Sequence, residues 1–255
     1  MRARSIPGAV ALILGCGSAA GPTEWLVVAN SAARLEFQAA DQSGAAGWLE
    51  LASTGRQAVA AFFRQPADGP YTVRVYPDRP SFEALWRSNG FQPACWMIGR
   101  AAKNGVEVLS PRLWASERCG HSEAETAAIL THELTHVLHG QRNPLPEVNY
   151  TMALKWFNEG IAVYLAGQLT EAMRSRARAW AQNPGPGGLS ALGISADTYA
   201  VGGALVELID QRSGRDALWV ALTATSTADL LSALGRTEAE LLAGLAQGAN
   251  PVRHP

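Results

Sequence analysis

The feature that most constrains this chain is an H-E-x-x-H motif formed by His132, Glu133 and His136. In an α-helix, residues four apart lie one turn from each other on the same face, so the two imidazoles can bind one metal ion. Two histidines so placed are typical ligands of a tetrahedral Zn²⁺ site. Glu133 directly follows the first histidine, a position from which its carboxylate can act as a general base on a metal-bound water. A motif with only three fixed positions can also occur by chance. A third ligand is therefore needed to decide whether the motif binds a metal ion.

The flanking residues predict that the motif lies on one helix. Ser122 is a favourable N-cap, and Glu125 three residues later completes a capping-box pattern. Gly140 is typical of a residue just past a helix end. We therefore expect a single helix from Ser122 to Gly140.

The candidate for the third ligand is Glu159, which follows His136 by 23 residues. Apolar residues recur at helical spacing from Trp156 to Leu169, so Glu159 lies near the start of a second predicted helix. A carboxylate on an otherwise apolar face is costly to bury without a partner, and a metal ion would be that partner. The alternative is an ordinary acidic residue favoured by the dipole at a helix start.

The two motifs together resemble a known family. H-E-x-x-H followed after a short gap by W-x-N-E-G-x-A is similar to the gluzincin metallopeptidases, especially the aminopeptidase-N-like and "peptidase MA" domains. The resemblance implies His132, His136 and Glu159 as zinc ligands and Glu133 as the catalytic base. Because three ligands bind a single ion, we expect one Zn²⁺ per chain.

The expected fold class is α+β. A small N-terminal mixed β-sheet with helices precedes a mainly α-helical, zincin-like half that carries H-E-x-x-H, and we expect residues 24–249 to form one domain. Alternating β-rich runs predict the strands, and Asn104-Gly105 predicts a hairpin. The predicted strands are 25–28, 35–38, 71–76, 96–100 and 105–109; the predicted helices beyond the two metal helices are 47–63, 81–87, 170–181, 199–211, 215–224, 227–233 and 237–246.

The resemblance also implies further site features. Related enzymes begin a later helix with a tyrosine that stabilises the oxyanion, which assigns that role to Tyr199; the alternative is a tyrosine that packs at a helix start with its hydroxyl in water. One arm of the hairpin would bind an extended substrate by strand addition. The chain lacks the Gly-x-Met-Glu-Asn strand with which the aminopeptidases recognise a free amine, so we expect an endopeptidase. His139 is expected to complement the dipole at the helix C-terminus.

The N-terminus has the pattern of an export signal. Residues 1–15 combine a basic head with a short apolar run, and the run ends at Cys16 in a sequence that resembles a bacterial lipobox. We predict a lipid anchor on Cys16, a linker over 16–23, a loose tail over 250–255, and a location in the bacterial cell envelope. Ordinary secretory cleavage near Ala19 or Ala20 is the alternative.

Cysteine and charge limit the remaining possibilities. With Cys16 acylated, Cys95 and Cys119 remain and can form a disulfide in an oxidising compartment, or they are two separate buried thiols. The formal net charge is −1 and no basic cluster occurs, which argues against nucleic acid as a partner.

Three functions fit these observations. The first is a zinc metallopeptidase that acts on peptide or protein substrates. The second is a lipid-anchored envelope binding or scaffold protein that retains a non-catalytic zincin fold, and the third is zinc-dependent hydrolysis of a non-peptide ester or amide. The sequence does not indicate an oligomeric state.

Overall fold

A computed structural model of the chain describes residues 11–12, 24–65, 70–88, 90, 92–102, 104–145, 148 and 151–248. These residues divide into two compact units. The first comprises the described residues up to Gln57 together with 70–134, and the second comprises Ala58–Gln65 together with the described residues from Thr135 onward.

The first unit contains a mixed β-sheet of six strands: β1 (Ala11–Leu12), β2 (Leu26–Ala29), β3 (Ala33–Phe37), β4 (Tyr71–Tyr76), β5 (Gly99–Ala102) and β6 (Gly105–Leu109). Their order in the sheet is β1-β2-β3-β4-β6-β5. The β3–β4 and β4–β6 pairs are parallel, whereas β1–β2, β2–β3 and β5–β6 are antiparallel. Strand β5 therefore lies at one edge of this sheet.

The sequence pattern explains the central strand and the edge hairpin. In β4 the inward-facing Val73 and Val75 are fully buried, as alternation predicts. The predicted hairpin is confirmed, with Ala102 opposite Gly105, but its first strand begins at Gly99 rather than at Trp96. Residues 96–98 instead belong to the irregular segment that follows Cys95.

The helices that contribute to the first unit are α1 (Gln42–Phe63), α2 (Arg79–Arg87), α3 (Pro111–Glu117) and the start of α4 (Thr126–Arg142). The prediction from sequence omitted α3, which begins with Pro111 at its first turn and buries Trp114. Cys95 and Cys119 form a disulfide with their Cα atoms 5.5 Å apart. The bridged alternative is therefore the one that the structure adopts.

The second unit is helical, and its core lies between helices rich in apolar residues. Two of these helices, 155–165 and 196–221, contribute fully buried side chains to this core: Trp156, Phe157 and Ile161 from the former and Leu205 from the latter. Its further helices are α5 (Lys155–Leu165), α6 (Glu171–Gln182), α7 (Ala196–Ala221), α8 (Thr227–Ala233) and α9 (Glu238–Ala246).

Two helix boundaries show how local residues set the elements. Helix α7 is interrupted at Gly214, whose φ of 78° is not helical, so the predicted break between residues 211 and 215 is confirmed. Helix α4 continues past Gly140 to Arg142, and the predicted stop at Gly140 is therefore wrong. The helix ends before Asn143 because that residue precedes Pro144, and the proline ring disfavours helical backbone in the residue before it.

The α+β class, with a small N-terminal mixed sheet followed by a mainly helical half, is confirmed. Apart from β1, the predicted signal peptide, Cys16 and the linker lie outside the described residues, as does the predicted tail. Within the described part of the chain, the model contains no helix with the length and apolar character needed to cross a membrane.

Candidate metal centre

Helix α4 carries the H-E-x-x-H motif, and its start follows the predicted capping pattern. The backbone N–H of Ser122 donates to Oε2 of Glu125 at 2.6 Å, and the reciprocal bond of the capping box is also present. A single 3₁₀ turn, Glu123–Glu125, leads from this cap into α4. The helix is continuous from Thr126 to Arg142, so His132 and His136 lie one turn apart on it.

The three predicted ligands come together. His132, His136 and Glu159 each offer one ligand atom, and these atoms all lie within 4.8 Å of one another. Nε2 of His136 is 3.4 Å from Oε2 of Glu159, and both residues are buried, with exposed fractions of 6% and 5%. Helix α5 thus supplies Glu159 from its second turn, as the apolar periodicity of this segment predicted.

Asn158, the residue before Glu159, orients the second histidine. Its Oδ1 accepts from Nδ1 of His136 at 3.1 Å and from Nδ1 of His139 at 2.8 Å. A carbonyl oxygen can only accept, so the Nδ1 proton of His136 is held by this bond and its Nε2 keeps a lone pair for a metal. Asn158 is fully buried, and the bond is therefore shielded from water.

His139 lies in the last turn of α4, as predicted, but it does not complement the helix dipole as a cation. Only 1% of the residue is exposed. Burial lowers the pKa of His139 to about 4, and the hydrogen bond to Asn158, which favours the protonated ring, only partly offsets this effect. At neutral pH His139 is therefore a neutral core residue whose ring also packs edge-on against Phe157 at 5.8 Å.

Lys155 holds the other oxygen of the third ligand. Its Nζ lies 2.8 Å from Oε1 of Glu159, one helical turn away on α5, and only 10% of the Lys155 side chain is exposed. A cation in the first turn of a helix is disfavoured by the helix dipole, and a buried lysine needs a partner. Lys155 therefore stabilises the Glu159 carboxylate even though its charge is unfavourable at a helix start. Its contact with Oε1 leaves Oε2 facing His136.

The two predicted catalytic residues occupy different surroundings. Glu133 follows His132 on α4 and is partly exposed. Tyr199 lies in the first turn of α7, partly buried against the apolar core of the second unit, and its role at the oxyanion stays a prediction. Asn158 is the asparagine of the W-x-N-E-G-x-A motif, but its bond to His136 was not predicted from the sequence, nor was the pairing of Lys155 with Glu159; the spacing of Lys155 four residues before Glu159 was the available signal.

The donor set fits a catalytic zinc site. Two imidazole nitrogens and one carboxylate oxygen are the ligands that Zn²⁺ takes in metallopeptidase sites, where the remaining position is left for water or substrate. The partners of the ligands also fit a metal site. Asn158 binds Nδ1 of His136 and Lys155 binds Oε1 of Glu159, which leaves the other ring nitrogen and the other carboxylate oxygen for a metal ion. The structure thus supports a His132, His136, Glu159 metal site.

Comparison with known proteins adds a likeness of fold. No protein-family model matches the chain, and no curated protein matches it. Among solved structures, the M1 zinc metallopeptidase from Deinococcus radiodurans matches with a TM-score of 0.52 and 16% sequence identity over 89% of this chain and 51% of its own. A mutant of that enzyme bound to a Tyr-Ser-Ala substrate matches with a TM-score of 0.55 and 17% identity, over 92% of this chain and 54% of its own.

At this identity the likeness shows the fold alone. The chain has a fold similar to that of M1 zinc metallopeptidases, which confirms the fold implied by the gluzincin resemblance. It spans about half the length of these structures.

Proposed function

We propose that this protein is a zinc-dependent endopeptidase with one Zn²⁺ bound by His132, His136 and Glu159. The observation that carries the proposal is the convergence of these three ligand atoms within 4.8 Å, with Glu133 next to the first of them on the same helix. The fold shared with M1 zinc metallopeptidases supports peptides as the substrate class.

Each residue has a defined task in this proposal. When bound, zinc supplies Lewis-acid chemistry that acidifies a water molecule and polarises the scissile carbonyl. Glu133 removes a proton from the attacking water and passes it to the leaving amine. Tyr199 donates from its hydroxyl to the negative charge that develops on the carbonyl oxygen. Intact Glu133 favours an enzyme over a binding protein that kept only the fold.

Strand β5 gives the proposal a place for the substrate main chain. It lies at the edge of the sheet, where backbone groups can pair with an extended peptide. Because the Gly-x-Met-Glu-Asn strand is absent, we propose that this pairing does not depend on a free N-terminal amine. Proteins or internal peptide bonds are therefore the proposed substrates.

Export by way of a lipid on Cys16 belongs to the same proposal and rests on the N-terminal sequence alone. Mass spectrometry of the mature protein, isolated from bacterial membranes, should find an acylated cysteine as its first residue. A mature N-terminus near Ala20 without lipid would support secretory cleavage instead.

The test compares Glu133→Gln with Glu123→Gln, which changes an exposed glutamate in the turn before α4. Both variants should retain about one zinc per chain by metal analysis. In a peptide-library assay, Glu133→Gln should lose at least about 10²-fold in kcat/KM, since general acid–base catalysis contributes that much, and Glu123→Gln should cleave like the wild type.

Two outcomes would contradict the proposal. Unchanged cleavage by Glu133→Gln would remove its role as the base. A wild-type protein that binds zinc but cleaves no peptide would favour the envelope binding or scaffold function, unless it hydrolyses simple esters or amides.

A further inference from the structure

Gly99 is the first residue of edge strand β5, where it pairs with Val108 of β6. Glycine weakens a strand because it loses more conformational freedom on folding than other residues do. Backbone conformation does not require glycine at this position, because Gly99 is not among the described glycines with positive φ. The reason for a glycine at this position must therefore lie in what approaches it.

Glu133 is the group that approaches it. A Cβ atom at position 99 would lie 2.6 Å from Oε1 of Glu133 and 2.9 Å from each of its Cγ and Cδ atoms. Real Cβ atoms do not come this close to other heavy atoms, so the side chain of Glu133 occupies the space that any residue other than glycine would fill. The carboxylate lies directly against the backbone of β5.

We propose that Gly99 is a positioning residue for Glu133: the missing side chain on β5 leaves the place in which the carboxylate lies beside the metal ligands of α4. The inference rests on the proposed function, because the orientation of Glu133 matters only if it acts as the base. The same glycine also brings the carboxylate next to the strand proposed to bind the substrate main chain. Gly99 thus fixes the position of the Glu133 carboxylate relative to the metal ligands and to the strand proposed to bind the substrate.

Other glycines of the first unit have different neighbours, which makes the contact at Gly99 specific. Gly105 approaches the backbone of Thr72 on β4, a packing contact within the sheet. Gly47 of α1 has no atom within 4 Å of its Cβ position. At Gly99 the close atoms are the distal end of a flexible side chain, so an added methyl group displaces the carboxylate and leaves the backbone in place.

This geometry predicts an effect on catalysis without one on stability. Gly99→Ala should keep the wild-type melting temperature, zinc content and KM, and should lower kcat by roughly 10²-fold, the loss typical of a reacting group misplaced by about 1 Å. Gly47→Ala is the matched control and should retain wild-type kcat. A lower melting temperature with unchanged kcat would show that Gly99 serves packing alone and would overturn the inference.

A double-mutant cycle tests whether the effect passes through Glu133. Aspartate at position 133 is shorter by one methylene group and leaves room for the methyl group at position 99. In the Glu133→Asp background, Gly99→Ala should therefore lower kcat by no more than about 2-fold, since the two changes are coupled. An equal loss in both backgrounds would overturn the inference.

Crystal structures of the zinc-free wild type and of Gly99→Ala separate this inference from the proposed function. Displacement of the Glu133 carboxylate in the variant supports positioning, even if the wild type cleaves no peptide and the proposed function fails. An undisplaced carboxylate overturns the inference and leaves the proposed function standing if the wild type is active.

Discussion

Asn158→Leu should weaken zinc binding and destabilise the zinc-free protein, because leucine has a similar size but no acceptor. In the wild type, Oδ1 of Asn158 accepts from the Nδ1 groups of His136 and His139, and all three residues are buried. A buried donor that loses its acceptor costs about 1–3 kcal/mol. With two donors affected, we expect the free energy of unfolding to fall by about 2–6 kcal/mol.

The effect on zinc follows from the orientation of one ligand. Without the bond to Asn158, the Nδ1 proton and ring orientation of His136 are no longer fixed, and loss of such a partner typically weakens metal affinity about 10–100-fold. Competition with a chromogenic chelator measures this affinity, and urea denaturation of the zinc-free protein measures stability. Asn158→Asp keeps an acceptor oxygen and should bind zinc at least as tightly as the wild type.

Two comparisons could refute this reasoning. If Asn158→Leu bound zinc with wild-type affinity, Asn158 would not orient His136. If Asn158→Asp lost as much affinity as Asn158→Leu, the loss would come from disturbed packing of α5, since the aspartate retains the acceptor.

Two further predictions concern buried ionisable groups. Lys155→Met should lower the free energy of unfolding of the zinc-free protein by about 3–5 kcal/mol, because it removes the cation that faces Oε1 of the buried Glu159 carboxylate. Zinc should restore part of this loss, and an equal loss with and without zinc would contradict the pairing. His139 stays neutral in the folded state but binds a proton below about pH 6.5 when unfolded, so stability should fall by up to about 3 kcal/mol between pH 6.5 and 4. Denaturation across this range should show a smaller fall for His139→Phe, and an identical fall would contradict it.

The sequence was most informative where a function depends on residues close together in the chain. The spacing of His132 and His136, the capping residues before α4 and the apolar periodicity around Glu159 are all local, and the structure brings the three ligands together. The alternation in β4 likewise predicted a strand with the bounds that the structure has, Tyr71–Tyr76.

The features that the sequence did not reveal depend on packing between distant segments. His139 was expected to complement the dipole at a helix end, but it is buried and packs edge-on against Phe157 of α5. The contact between Gly99 and Glu133 requires a particular position of β5 beside α4, and no local pattern encodes that position. Helix α3 is the exception, because Pro111 in its first turn is a local helix-start signal.

Helix α5 carries Glu159 and the partners of two metal ligands, and its packing against α7 fixes its orientation. Gly160 directly follows Glu159, and a Cβ atom there would lie 2.8 Å from Cα of Gly202 on α7. Such a close approach of two backbones prevents α5 from rotating, because any rotation would bring a side chain into the contact. Glu159, Asn158 and Lys155 all project from this helix. The contact between Gly160 and Gly202 therefore holds in place a metal ligand, Glu159, together with the partner of His136 and the partner of Glu159 itself.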